Sequence, residues 1–182
     1  MEMDSYLVSK VYADWIASGK TADTTVLTAT NVLTVFDGLM AEMDKKRVPK
    51  QGRKLYITPD VDVMIKNASN IVRYIDIKDD RAAELNRIVA RLDRVDIISV
   101  PNDLMMTLYD FTTGAVADAA AEQINMFLIH PTSVITPISY NFVNLNAPSA
   151  LSEGKFVYFE ESFEDVFILA NKTDAIAFNI TI

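Results

Sequence analysis

Chemistry in this chain would have to come from carboxylates and one imidazole. The sequence holds no cysteine and a single histidine, His130. Disulfides, thiol nucleophiles, thiolate metal sites and most imidazole ligand sets are thereby removed. Carboxylates do cluster, with Asp79 and Asp80 beside Arg81, and Glu160, Glu161, Glu164 and Asp165 together. Glycoside hydrolysis or metal binding needs two carboxylates converging in a cleft, whereas adjacent residues on a strand point to opposite faces. The glutamates therefore read as a solvated or partner-facing sheet edge, where charge also prevents unwanted strand pairing. Asp60, Asp62 and Asn67 lack the glycine and spaced acids of a calcium loop. His130 reads as a helix cap, because a general base needs a nucleophile that the sequence does not identify. Ser133 and Ser139 stand in no GxSxG context. Gly19, Lys20 and Thr21 look like the end of a phosphate-binding loop, but the position that requires glycine is Asp14. No catalytic residue, metal or cofactor is expected, and the chain reads as a protein that is not an enzyme.

Cationic side chains concentrate in one stretch: Lys45, Lys46, Arg47, Lys50, Arg53 and Lys54. It reads first as a solvated helix end and loop, where cations suit the negative end of the helix dipole; the alternative is contact with an acidic partner surface. The net charge of −8 is unevenly placed, since residues 1–100 balance 15 basic against 15 acidic side chains and residues 101–182 carry 2 and 10. An acidic surface repels phosphate, which argues against a sequence-specific nucleic-acid reader. Trp15 and the Tyr and Phe residues then read as core or interface filler rather than as stacking platforms. At 182 residues and 50% hydrophobic, the chain suffices for one ordinary domain or two small lobes. No window approaches the ~18 consecutive apolar residues that span a bilayer, and Met1–Asp4 leads into an amphipathic segment rather than a signal sequence. A soluble, unsecreted protein with no membrane partner is expected.

The elements that would position these groups follow from spacing. Leu7, Val8, Val11, Tyr12, Trp15 and Ile16 form an apolar stripe that predicts a helix over Ser5–Ser18, capped by Asp4 and ended by Gly19. A second helix is expected over Asn31–Lys46 with Thr30 as cap, since Leu33, Phe36, Met40 and Met43 recur at three- and four-residue intervals. Lys54–Ile57 reads as a strand, followed by a capping Thr58, Pro59 at the first helical position, and Asp60 and Asp62 in the first turn of a short helix. The device recurs: a strand over Met126–Ile129, His130 as cap, Pro131, and a short helix ended by Pro137. This echo suggests two strand-to-helix units in a mixed central sheet, an α+β arrangement. Segments 86–92 and 95–100 read as a hairpin around Asp93 and Arg94, with a helix over Arg81–Leu92 as the competing reading. Leu104–Tyr109 is a further apolar element, and Ala115–Glu122 reads as a helical turn or a flexible loop. The stretch NFVNLNAPSALSEG reads as a polar loop apart from Phe142, Val143 and Leu145. The chain closes on a three-stranded antiparallel meander: Lys155–Glu160, Val166–Leu169, and a half-buried strand from Ala175 with Ile176, Phe178, Ile180 and Ile182 on its apolar face.

The order of segments is informative: NVLTVFDGLMAEMDKKRVPKQGRKLYITPDVDVMIKNA, IVRYID, LNRIVARLDRVDIISVPNDLMMT, INMFLIHPTSVITP, then KFVYFEESFEDVFILANKTDAIAF. Over most of residues 28–180 this set resembles the back portion of the major capsid (coat) proteins of tailed bacteriophages, the fold shared with encapsulins. The RLDRVDIISVP segment, the His130-Pro131 step and the NKTDAI turn at Asn171–Ile176 carry the likeness; Asp93-Arg94 departs from the commoner Asp-Gly. The resemblance implies a capsid-type fold in which residues 1–50 hold the end of the spine helix and a peripheral-domain helix. Residues 51–137 would then lie mostly in the axial domain, and 138–182 would return to the peripheral domain. It also implies a structural role: a subunit, or a truncated fragment, of a phage or prophage coat that self-associates into an icosahedral shell enclosing DNA. Partners would be copies of itself, as hexamers and pentamers in the full-length form, located in the virion capsid and in the host cytoplasm before assembly. An encapsulin-like compartment shell is the alternative within the same fold, and a small α+β ligand-binding or enzymatic domain is the alternative outside it. Nothing in the sequence corresponds to the N-terminal arm and extended loop of such proteins, so a shortened relative or a piece of a longer coat protein is expected, one that assembles closed shells poorly alone. The basic cluster is expected to meet an acidic edge of a neighbour, Glu160, Glu161 and Glu164.

Overall fold

The computed structural model describes residues 5–68, 88–92, 95–112, 114, 116–148 and 153–181. Three helices and eleven strands are placed among them: α1 (Ser5–Ala17), α2 (Val32–Lys45), β1 (Lys54–Ile57), α3 (Pro59–Asn67), β2 (Ile88–Leu92), β3 (Val95–Ser99), β4 (Tyr109–Asp110), β5 (Val116–Ala117), β6 (Gln123–Ile129), β7 (Val134–Ile135), β8 (Ile138–Asn146), β9 (Val157–Glu164), β10 (Phe167–Ile168) and β11 (Ile176–Thr181). The fold is α+β around a mixed five-stranded sheet ordered β11-β6-β1-β3-β2. β1 runs parallel to β3 and antiparallel to β6; β11 and β2 pair antiparallel at the two ends.

Both faces of this sheet are buried. On one side Val32, Phe36 and Leu39 of α2 and Val61 and Ile65 of α3 pack on Leu55, Ile57, Ile97, Met126 and Leu128. On the other, Leu7, Val8, Val11 and Trp15 of α1 cover Phe127, Ile129, Ile176, Phe178 and Ile180. Alternation along β1 and β11 sends successive side chains to opposite clusters, which is how short strands serve two cores at once. A bulge opposite Asn179–Ile180 shifts the phase of β6, so that Ile124 and Phe127 reach the α1 side together. Tyr56, Phe127 and Phe178 stand directly opposite one another across three strands, with the last two rings stacked at 4.5 Å and 4°. Trp15 and Tyr12 close over that row from α1.

β11 is the end strand, yet its outer edge is occupied. The Asp23 backbone donates to Phe178 O and accepts from Ile180 N, each at 2.9 Å, and the fully buried Asn179 amide donates to Thr25 O at 3.0 Å. The loop after α1 thus covers an edge that would otherwise recruit foreign strands.

Several expectations are corrected. The last strands form no meander: β9 pairs with β8, β10 with β7, and β11 with β6. Residues 170–175 make 3-10 turns rather than a hairpin turn, and β11 is buried on both faces rather than one. The expected polar loop after Pro137 is largely β8, a nine-residue strand. The helix expected after His130 is a three-residue 3-10 turn leading into β7, and the alanine-rich stretch contributes β5. Asn31, not Thr30, precedes α2, and Thr58 occupies the cap position of α3 without a side-chain hydrogen bond. β2 and β3 pair as the expected hairpin rather than joining a helix over Arg81–Leu92. Asp93 and Arg94, Asp4, and Asp79 to Arg81 lie outside the described residues.

Candidate functional site

The basic stretch divides into an internal clamp and an exposed rim. α2 ends in a Schellman motif: Arg47, in the left-handed region at φ 60°, donates from its backbone to Asp44 O, and Val48 donates to Met43 O. That reversal carries the chain back under α2 and buries Arg53 completely, at 0% exposure. Its guanidinium donates to Pro49 O (2.9 Å), Val48 O (2.6 Å) and Asp44 Oδ1 (2.7 Å), with Met40 Sδ at 3.4 Å. Arg53 therefore leaves the set of candidate contact residues, because every edge of its fork is used inside the subunit. Lys50 joins it at 2.7 Å from Asp44 Oδ2. Hydrogen bonds from Lys50 and Arg53 hold the Asp44 carboxyl below its ordinary range.

Lys45, Lys46 and Arg47 remain exposed. The first two rim a cleft of about 280 Å³ between the ends of α1 and α2, where Lys20 bonds Asp174. The hydrogen bond from Lys20 and the nearby Lys20 and Lys46 charges lower the Asp174 pKa. Lys54 lies on the opposite side of the sheet from Leu55, half-buried in a recess beneath α1.

The glutamates sit on a different structure. β8 and β9 pair only with each other among the described residues, forming a two-stranded ribbon in which Phe142 faces Glu161, Val143 faces Glu160 and Leu145 faces Tyr158. Glu160 and Glu161 are exposed on opposite faces of the ribbon, and Glu164 lies on β9 opposite Ile138 in register. Tyr158 donates to the Glu160 carboxylate, which raises the phenol pKa. Among the described residues, the ion pairs of the basic stretch both end on Asp44, and none joins it to Glu160 or Glu161. Among the described residues the two charged groups form no ion pair with each other within one subunit.

The ribbon is also apolar on both faces. Phe142, Val157 and Phe159 are exposed on one, Val143, Leu145 and Tyr158 on the other. Sequence reasoning missed this surface, although the alternation Ile138, Tyr140, Phe142 was a period-two signal that the intervening Ser and Asn residues obscured.

Comparison with protein-family models finds no match, and comparison with curated proteins finds none either.

His130 does cap the turn that follows. Its Nε2 faces Gln51 O at 3.1 Å, and since a carbonyl can only accept, Nε2 carries the proton; Nδ1 then accepts from Thr132 Oγ1 at 2.8 Å and from Thr132 N. Both ring nitrogens are engaged, and the imidazole ties the α2–β1 loop to the end of β6. Asp60 accepts from Asn102 Nδ2, and Asp62 pairs with Lys66, so these acids serve local contacts. Among the described residues no three His, Asp or Glu side chains are placed to hold a metal ion, and no helix is long and apolar enough to cross a membrane.

Proposed function

We propose that this chain is a structural subunit, of the tailed-phage capsid type, that associates with copies of itself in a protein shell. The observation that carries the reading is the β8–β9 ribbon: a closed two-sided core bears an extension whose large apolar side chains face water on both sides. Exposed apolar patches of this kind mark interaction surfaces. In the same reading, the polar groups that could do chemistry have structural duties, His130 as a turn cap and Arg53 as a loop clamp. Partners are further copies, hexamers and pentamers in a complete coat, around enclosed DNA in a virion.

The exposed cations Lys45, Lys46 and Arg47 complement Glu161, which a neighbour's ribbon carries on the face opposite Glu160, and this contact would set orientation more than strength. The test is sedimentation and light scattering across a wide concentration range, with negative-stain microscopy of the concentrated sample. Reversible, concentration-dependent association is expected. A strictly monomeric protein at every concentration would refute the reading. Reversing charge at Lys46 and Arg47 should weaken association and flatten its salt dependence; unchanged association would remove that contact.

A further inference from the structure

The ribbon and the recess beneath α1 share a root. Val134 and Val166 line the recess, and they flank the points where the chain runs into β8 and out of β9. The recess holds about 260 Å³ between Val8 of α1 and the rings of Tyr56 and Phe127. That is below the ~300–1,000 Å³ usual for small-molecule sites and suits one or two large side chains instead. Lys54 lines it, half-buried beside apolar groups and without an ion pair among the described residues. The nine residues of β8 span about 30 Å at the ordinary strand rise. The far end of the ribbon, Leu145 at 63% exposure opposite Tyr158 at 60%, is therefore carried away from the recess at its own root.

We propose that the recess receives the far end of the ribbon of a second copy of this chain. Leu145 and Tyr158 fill it, and Glu160, on the same ribbon face, meets Lys54. This rests on the self-association reading above and assigns its contact. Charge complementarity selects the occupant: an apolar recess whose cation, Lys54, has no ion pair among the described residues matches a ribbon face that sets the Glu160 carboxylate beside apolar side chains, and both belong to this sequence. The contact is heterologous, since each copy gives a ribbon and takes one, so it builds rings or open chains rather than closed dimers.

The test places a photoreactive benzoylphenylalanine at position 145 of the full chain, mixed with isotopically labelled wild type so that crosslinks between copies are distinguishable by mass. Crosslinks between copies are expected at residues 7–11, 54–56 and 134–136. Thr136→Glu, an exposed change at the recess margin, should abolish them and weaken association about tenfold. Glu160→Lys should weaken it about fivefold, and Lys54→Glu in the same mixture should restore it. Crosslinks that map to another ribbon, or to the Lys45–Arg47 rim, overturn the docking while self-association stands. A monomer with no crosslinks between copies overturns both. Crosslinks confined to the recess of the same copy overturn the proposal in favour of an internal contact.

Discussion

Replacing Arg53 with Met tests whether the buried guanidinium is an internal clamp. Met keeps the apolar stem and deletes the charged fork, which makes three hydrogen bonds of 2.6 to 2.9 Å. Bonds involving a charged group contribute about 1.5–3 kcal/mol each, so the three set an upper bound near ~9 kcal/mol. The real loss is smaller. Asp44 stays paired with Lys50 and is a third exposed, and Pro49 is an exposed residue. Val48 is half-buried, and its carbonyl loses the Arg53 donor. The expected destabilisation is about 2–4 kcal/mol, a large share of the ~5–15 kcal/mol of a typical domain. Urea unfolding reads it through Trp15, the single tryptophan, which is buried against Phe178. The midpoint should fall with an unchanged slope. Arg53→Lys should recover less than half, because an ammonium cannot reproduce the fork, while Lys46→Met should stay within about 0.5 kcal/mol of wild type. An Arg53→Met protein as stable as wild type would refute the clamp, and one that is stable but associates poorly would return Arg53 to the contact surface.

Asp44→Asn should remove an acid-sensitive increment of stability. The folded pKa of Asp44 is depressed, so its contribution is complete above the unfolded value near ~4 and is lost as pH falls through the lower folded value. Wild type and variant should therefore converge in urea midpoint on acidification. Phe178→Ala should cost about 3–5 kcal/mol by thermal or urea unfolding, because the ring is buried between Phe127 and Trp15. Arg47→Gly should be neutral or stabilising by up to about 1 kcal/mol, since glycine relieves the left-handed backbone at the end of α2; clear destabilisation would show that the Arg47 side chain holds the loop.

What was legible in the sequence was local. The stripe Leu7–Trp15 and the Thr58-Pro59 start placed α1, β1 and α3 within a residue or two, because helical period and caps are written in neighbouring residues. Pairing across long intervals was not legible. β11 finds β6 some fifty residues away, and nothing in the Val166–Leu169 run shows that its partner is β7 rather than β11. Burial on both faces of β11 was hidden because Ala177 and Asn179 look like solvent-side choices. Ala177 instead packs under α2, and Asn179 is satisfied by Thr25 O and the Asn125 amide. Arg53 was misplaced for the converse reason: composition assigns a guanidinium to water, and only the fold of the α2–β1 loop supplies three acceptors around it. The ribbon was obscured because Asn141, Asn144 and Asn146 break the apolar count of β8, while pairing with β9 organises it.

The ribbon's own stability is the sharpest consequence of this architecture. An isolated two-stranded hairpin is marginal in water, and β8–β9 pairs with no third strand among the described residues. Its backbone hydrogen bonds should therefore open far more often than those of β6, which is flanked by β1 and β11 and buried on both faces. If a neighbouring copy covers the ribbon, association must close those openings. Amide hydrogen exchange is then expected to show β8 and β9 exchanging rapidly in dilute protein and becoming protected as concentration rises, with β6 slow throughout. Ribbon amides as protected as β6 in the monomer would mean that the ribbon is held within its own subunit, and the apolar faces would lose their claim to be an interface.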